Sequence, residues 1–282
     1  MKLTENIHAL KIPFKITLSP TQTVDRFVYV YIITGEKISL IDTGVAGAKK
    51  IIFDYIESIG KNPKDIENIF LTHSHPDHIG SAKSIKQETD CKIYIHGAEK
   101  DWAQDVDLQY KQRPVPGFHN FVEGSVKIDF LLNGGDEINL GNNLSLKAFH
   151  TPGHSHGSVS YLLKQDNALF CGDAVLASGQ MPVFEDFAEC MSSVKKLSEI
   201  KGLKFLLSSW DNPYEEKLIA PIFKDSFDYM QKIEKAVNSL SSDDKKDPME
   251  ICKKTISILN LPVLMANPVT ARSFKYFVKN TL

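Results

Sequence analysis

An α/β layered fold is what the sequence predicts, on two observations. Strand, turn and helix alternate through its first third, and from Val126 closely spaced strands follow before a helix-forming segment returns. Taken in order, residues 24–33 (VDRFVYVYII) and 37–41 (KISLI) are β-branched and aromatic runs parted by a Thr-Gly turn, which predicts adjacent strands. In residues 46–59, Ile51, Ile52, Tyr55, Ile56 and Ile59 share one helical face, and Gly60 stands where a left-handed C-cap is expected. The unit recurs with a strand at 66–73 (IENIFLTH), a polar turn, a helix from Ile79 to Gln87 and a strand at 91–97 (CKIYIHG).

Beyond Val126 the runs VKIDFLL, DEINL, LSLKAFHT, SVSYLLK and ALFCGD are separated by Asn-Gly-Gly, Gly-Asn-Asn, Pro-Gly and Asp-Asn turn signals, and each reads as a strand. A helix over roughly 186–201 and a strand at 204–210 (KFLLSSW) follow. Residues 1–211 are therefore expected to form one mixed domain. Residues 212–282 carry three helical stretches, beginning near Pro213-Tyr214, at Asp247-Pro248-Met249-Glu250 with Asp as N-cap and Pro at the first helical position, and at Asn267-Pro268. This helical appendage is expected to serve as a lid over a cleft or as a homodimer interface. Its Phe223, Phe227, Met230 and Ile233 have ordinary core spacing.

Composition narrows the function. With 33 Lys and Arg against 35 Asp and Glu, the formal net charge is −2, so no general positive field attracts nucleic acid or an anionic membrane, and a small-molecule substrate is the expected partner. The opening MKLTENIHALKIPFK has no apolar stretch of the signal-peptide kind, which reads as an unprocessed cytoplasmic protein. Cys91, Cys171, Cys190 and Cys252 lie far apart and read as reduced, buried thiols. No P-loop or dinucleotide fingerprint occurs.

The histidines are lopsided. All 9 fall within the first 156 positions, and the densest group is His73-Ser74-His75-Pro76-Asp77-His78, at a predicted strand end. Three imidazoles and a carboxylate gathered at one turn can point alternate side chains into a single cavity. His154, in HTPGH (150–154), and Asp173, in FCGD (170–173), follow apolar strands in the same way. Imidazoles with a few carboxylates suit zinc, iron or manganese.

On these residues the sequence resembles the metallo-β-lactamase superfamily: LIDTG (40–44), HSHPDH (73–78), HTPGHSHG (150–157) and CGD (171–173) occur in that family's order and spacing. The resemblance implies a four-layer αβ/βα sandwich with two divalent metal ions at one edge, zinc foremost. His73, His75 and His154 would hold the first metal, and Asp77, His78 and Asp173 would help hold the second, with Asp173 bridging the pair. Asp42 would support the metal-site loops without ligating, or simply cap a turn. Two such metals, about 3.5–4 Å apart, can lower the pKa of a bridging water toward neutrality, so that water is the nucleophile and the leaving group is stabilised by the second metal or by a proton passed through Asp77.

One departure from the family pattern stands out. A last metal-binding histidine usually follows the strand after the long helix, and here that place reads Trp210-Asp211-Asn212-Pro213. Asp211 is the natural replacement, a harder ligand that tilts the site toward manganese or iron; alternatively it caps the next helix. Two further histidines are candidates for a substrate pocket: His156, close to the rim, and His119, in the Pro/Gly-rich stretch QRPVPGFHNFVEG (112–124), which forms a pocket wall or a structural loop. The segment 179–186 is a second candidate wall.

Two functions from different classes fit these readings. The first is a metal-dependent hydrolase acting on a small ester, thioester, lactone or related substrate, as in the glyoxalase II and lactonase branches of the family. The second is a mononuclear iron oxidoreductase of the persulfide dioxygenase type on the same scaffold.

Overall fold

The structure, a computed structural model, describes residues 1–19 and 22–279. It forms two compact units. The first consists of Met1–His150, Gly157–Asp173 and Leu203–Glu215; the second consists of Thr151–His156, Ala174–Gly202 and the chain from Glu216 onward.

Two mixed sheets of six strands each build the first unit. One sheet contains β1 (Ile7–Ser19), β2 (Gln22–Thr34), β3 (Ile38–Ile41), β4 (Ile66–Phe70), β5 (Lys92–His96) and β6 (Phe130–Leu132), in that spatial order. Its first three strands are antiparallel, and the β3–β4, β4–β5 and β5–β6 pairs are parallel. The other sheet runs β7 (Glu137–Asn139), β8 (Ser145–His150), β9 (Val159–Leu163), β10 (Ala168–Gly172), β11 (Phe205–Ser208) and β12 (Tyr214–Glu215), with only β10–β11 parallel. The expected α/β sandwich is present, with strands at nearly all the predicted places.

Strand β2 shows how the sandwich is held. Val28, Val30 and Ile32 join a core shared with Ile52 and Ile56 of α1 (Ala48–Ser58), whereas Tyr29, Tyr31 and Ile33 face a second core with Leu146, Tyr161, Phe170 and Leu207 of the other sheet. A strand buried on both faces reads as a continuous apolar run, which is why 24–33 was legible as a strand. Two buried tyrosines satisfy their hydroxyls at carbonyls at strand ends: Tyr31 donates to Ser208 at 2.6 Å and Tyr161 to Leu71 at 2.7 Å.

Strand β1 was not expected, because Pro13 interrupts an otherwise alternating run. It lies at the sheet edge, where proline costs no ladder hydrogen bond on the open side. The helix expected over 79–87 is split into a single turn, α2 (Pro76–Ile79), and α3 (Ala82–Thr89). At the break the Gly80 amide donates to the Gly44 carbonyl at 2.8 Å instead of along the helix, and the backbone leaves helical geometry at Ser81; a Cβ on Gly80 would stand 2.4 Å from the Phe121 carbonyl oxygen and 2.5 Å from that of Gly44. Three helices went unforeseen, α4 (Lys100–Gln104), α5 (Val106–Gln112) and α6 (Phe118–Phe121), each too short for a periodic signal.

The second unit is helical. Helix α7 (Phe187–Ser198) is capped by Asp186, and α8 (Glu216–Asn238) is followed by α9 (Pro248–Ile258), α10 (Pro268–Ser273) and α11 (Lys275–Lys279). As the sequence predicts, Asp247 caps α9, and Asn267 caps α10. Phe184, Phe187, Met230, Ile233, Ile251, Phe274 and Phe277 share one core. The four cysteines are buried and unbridged, and burial pushes the thiols of Cys91, Cys171, Cys190 and Cys252 up, so none is primed as a nucleophile. Among the described residues, no helix is long and apolar enough to cross a membrane.

The packing at Gly80 yields a prediction. Gly80→Ala must displace backbone rather than a flexible side chain, so it should destabilise the protein by about 1–3 kcal/mol; an unchanged urea midpoint would show that the neighbouring loops yield freely.

Candidate metal centre

Three strand ends of the first unit deliver the site. Beyond β3 the chain turns at Asp42, whose φ of 59° is left-handed, a conformation that Asp tolerates better than most residues. Thr72 and His73 follow β4, and Pro76 opens α2 with the two histidines of the His-Ser-His turn just ahead of it. Gly172 ends β10 at φ 52°, and a Cβ there would come within 2.8 Å of the Thr72 side chain. Glycine at 172 therefore lets β10 pass close to Thr72 and brings Asp173 alongside His78.

Asp42 ties these ends together. Fully buried, its carboxylate accepts from the Thr72 amide and the Thr72 hydroxyl, both at 2.7 Å, and from His78 Nδ1 at 2.8 Å. Since a carboxylate only accepts, His78 Nδ1 carries a proton and Nε2 is turned the other way. His78 Nε2 is buried with no hydrogen-bond partner, 3.4 Å from Asp173 Oδ1 and 3.5 Å from Asp77 Oδ2. Burial opposes a charge on His78, yet Asp173, Asp77 and Asp42 outweigh it and hold the imidazole well above its usual pKa.

His73 and His75 complete the histidine group. His73 Nε2 lies 2.9 Å from His75 Nδ1, and the His73 ring centroid is 4.0 Å from that of His78. His73, His78 and Asp173 each offer a ligand atom within 4.8 Å of the others, a spacing that fits a divalent cation. The orphaned Nε2 of His78 and the surplus of carboxylate around it are what such a cation would satisfy. Asp77 and Asp211 belong to neither this trio nor another cation-sized group among the described residues. Asp211 is half-buried and close enough to raise the pKa of Tyr31 and Cys171.

The remaining predicted residues lie as follows. His154 sits in the segment Thr151–His156 of the second unit, buried, with Nδ1 3.0 Å from the Val183 carbonyl. A carbonyl only accepts, so this contact places the proton on Nδ1 and the lone pair on Nε2. His156 is exposed on the same segment. His119 is on α6 at the surface, where it meets Asp107, Tyr110 and Phe118, none of them a member of the histidine group. The stretch 112–124 is thus part helix, not an open loop.

Several supporting residues escaped the sequence reading. Glu99 is buried, and its carboxylate accepts from the Ser74 amide at 3.0 Å, the Ser74 hydroxyl and the Gly157 amide at 2.8 Å, clamping the His-Ser-His turn. Gln109 donates to the Ser74 carbonyl at 2.8 Å. Trp210 donates its indole N–H to Asp173 Oδ2 at 2.9 Å. His150 stacks on His96 with 4.1 Å between ring centroids. In sequence Glu99 is a single acid beyond a predicted strand that no motif marks, and only folding buries it.

Residues 23–208 match the family model of the metallo-beta-lactamase superfamily. A probable metallo-hydrolase, YqgX, of Bacillus subtilis is 34% identical over 150 residues, covering 53% of this chain and 66% of its own. A hydroxyacylglutathione hydrolase of Hyphomonas neptunium is 32% identical over 147 residues, covering 52% of this chain and 48% of its own. An atrochrysone carboxyl ACP thioesterase of Aspergillus aculeatus is 31% identical over 185 residues, covering 65% of this chain and 48% of its own. The chain thus spans about half to two thirds of the length of these relatives. In fold, it resembles a metallo-beta-lactamase family protein from Thermus thermophilus with a TM-score of 0.75 at 16% identity, covering 99% of this chain and 94% of that one.

The three bonds to Asp42 yield a prediction. Asp42→Asn keeps the shape but must turn an amide N–H toward a donor, so it should cost about 1.5–3 kcal/mol in urea denaturation and weaken metal affinity roughly 10-fold to 100-fold. Unaltered stability and affinity would mean that His78 is oriented by something other than this carboxylate.

Proposed function

The chain belongs to the metallo-beta-lactamase superfamily, and on that premise we propose that it is a metal-dependent hydrolase of a small ester, thioester, lactone or related substrate. The observation that carries the proposal is the His73–His78–Asp173 group, in which buried imidazole and carboxylate atoms converge within 4.8 Å. Hydrolysis is favoured by the relatives, among them a hydroxyacylglutathione hydrolase and a thioesterase, both of which by name cleave thioesters.

In this reading His73 and His75 help hold one cation, and Asp77, His78 and Asp173 help hold a second. Zinc suits the imidazole-rich set best, with manganese or iron favoured if Asp211 contributes. When bound, such cations polarise the scissile carbonyl and make hydroxide available near neutral pH. The protein's own groups do the rest. Asp42 orients His78, the Trp210 N–H fixes one oxygen of Asp173, and Asp77, with its side chain 20% accessible, can carry a proton between the site and the leaving group. A net charge of −2 and three carboxylates around His78 favour a substrate without a large anionic group.

Metal analysis of protein purified without added metal is the first test. Two equivalents of zinc or manganese with esterase, thioesterase or lactonase turnover support the proposal; a single iron with persulfide-dependent oxygen uptake replaces it by the dioxygenase reading. His75→Ala should abolish turnover while the circular dichroism spectrum stays native, and retained turnover would remove the site assignment. Asp211→Ala should lower the metal content to one equivalent if Asp211 is a ligand; unchanged stoichiometry assigns it to packing alone.

A further inference from the structure

Next to the metal centre, three aromatic rings from distant parts of the first unit form one surface. Trp210, which follows β11, donates to Asp173 Oδ2 at 2.9 Å, so its indole begins at a carboxylate of the cation-sized group. Phe14 of β1 meets the Trp210 ring edge-on, with centroids 6.1 Å apart, and meets Phe121 of α6 in the same manner at 5.6 Å. Phe121 is held against the loop that carries Asp77 and His78, because its carbonyl accepts from the Ala46 amide at 2.7 Å and closes on Gly80. In the whole folded chain all three residues stay partly accessible, Phe14 and Phe121 also packing against the core of the first sheet. Apolar rings left half-open beside a polar, acidic site are the composition of a ligand pocket, in which a few convergent polar groups orient the ligand and aromatic walls bind its body.

We propose that Phe14, Phe121 and Trp210 form the subsite for an apolar acyl or aryl group of the substrate, placing its carbonyl beside Asp173. The proposal rests on the hydrolase reading above and adds the substrate class: thioesters or esters of medium-length or aromatic carboxylic acids, in preference to short or anionic acyl groups. Water adds to the acyl carbonyl, the C–S or C–O bond breaks, and the products are the carboxylic acid and a thiol or alcohol that takes up a proton. A chain laid on these rings removes apolar area from water with each methylene, equivalent to about threefold to fourfold tighter binding per added CH2.

The experiment uses the zinc-loaded full chain and a series of acyl thioesters of one neutral thiol, from acetyl to octanoyl, together with binding of the free carboxylates, acetate to octanoate. Binding is read from tryptophan fluorescence, to which Trp210 contributes at the site itself. We expect kcat/KM and carboxylate affinity both to rise about threefold per methylene from butanoyl to octanoyl. In Phe14→Ala this slope should fall by at least half, with Phe121→Leu as the second variant where Phe14→Ala does not fold. Turnover with no dependence on chain length overturns the subsite and leaves the hydrolase reading intact. Chain-length-dependent carboxylate binding, reduced in Phe14→Ala, with no ester, thioester or lactone hydrolysed, keeps the subsite and removes the hydrolase reading. A slope equal in wild type and both variants also overturns the proposal.

Discussion

A single buried carboxylate organises the region on which everything else depends. Asp42 lies at the end of β3 but spends its hydrogen-bonding capacity on the β4 loop and on α2, through the Thr72 amide and hydroxyl and His78 Nδ1. Burying a charge is costly unless its lone pairs are met, and three donors at 2.7–2.8 Å meet them here. The bond to His78 also decides which ring nitrogen faces Asp77 and Asp173, and so orients an imidazole of the group that could hold a cation. The same loop is held a second time through the backbone, where the Thr43 amide and hydroxyl donate to the His78 carbonyl at 2.8 and 2.9 Å.

Close approach is the second requirement. The strand ends that deliver His73, His78 and Asp173 come from both sheets, and they can converge only where side chains are absent. Gly172 passes Thr72, and Gly80 fits against the carbonyls of Gly44 and Phe121, each at distances that a Cβ would violate. Glu99 adds a further clamp by holding Ser74, between the two histidines of the turn, and the Gly157 amide at the start of the β9 hairpin. The site is thus built on strand termini fastened by buried carboxylates, an arrangement that would keep such residues in place for a cation.

Much of this was legible in the sequence because the signals are local. The Asp-Thr-Gly turn, the His-Ser-His-Pro-Asp-His run and the Cys-Gly-Asp ending each follow an apolar strand, and their shared order carries the family resemblance. Strand β2 was readable as a continuous apolar run because both its faces are buried. Strand β1 was not, since Pro13 breaks the pattern and only the edge position in the sheet makes it harmless. The continuous helix expected over 79–87 is interrupted for a similar reason: periodicity does not reveal that the Gly80 amide is drawn to the Gly44 carbonyl of another loop.

By itself the sequence determined the α/β class, the ligand types available and the chemistry they suit, because residue identity and spacing along one strand end are properties of the chain. Tertiary structure alone decided which nitrogen of His78 faces the site, that Glu99 is a buried clamp and not a surface acid, and that Trp210 holds Asp173. It also brought Phe14, Phe121 and Trp210 into one aromatic surface. These are contacts between residues 25 to more than 100 positions apart, and no local pattern encodes them. They exist because two sheets pack face to face and glycines let their loops meet.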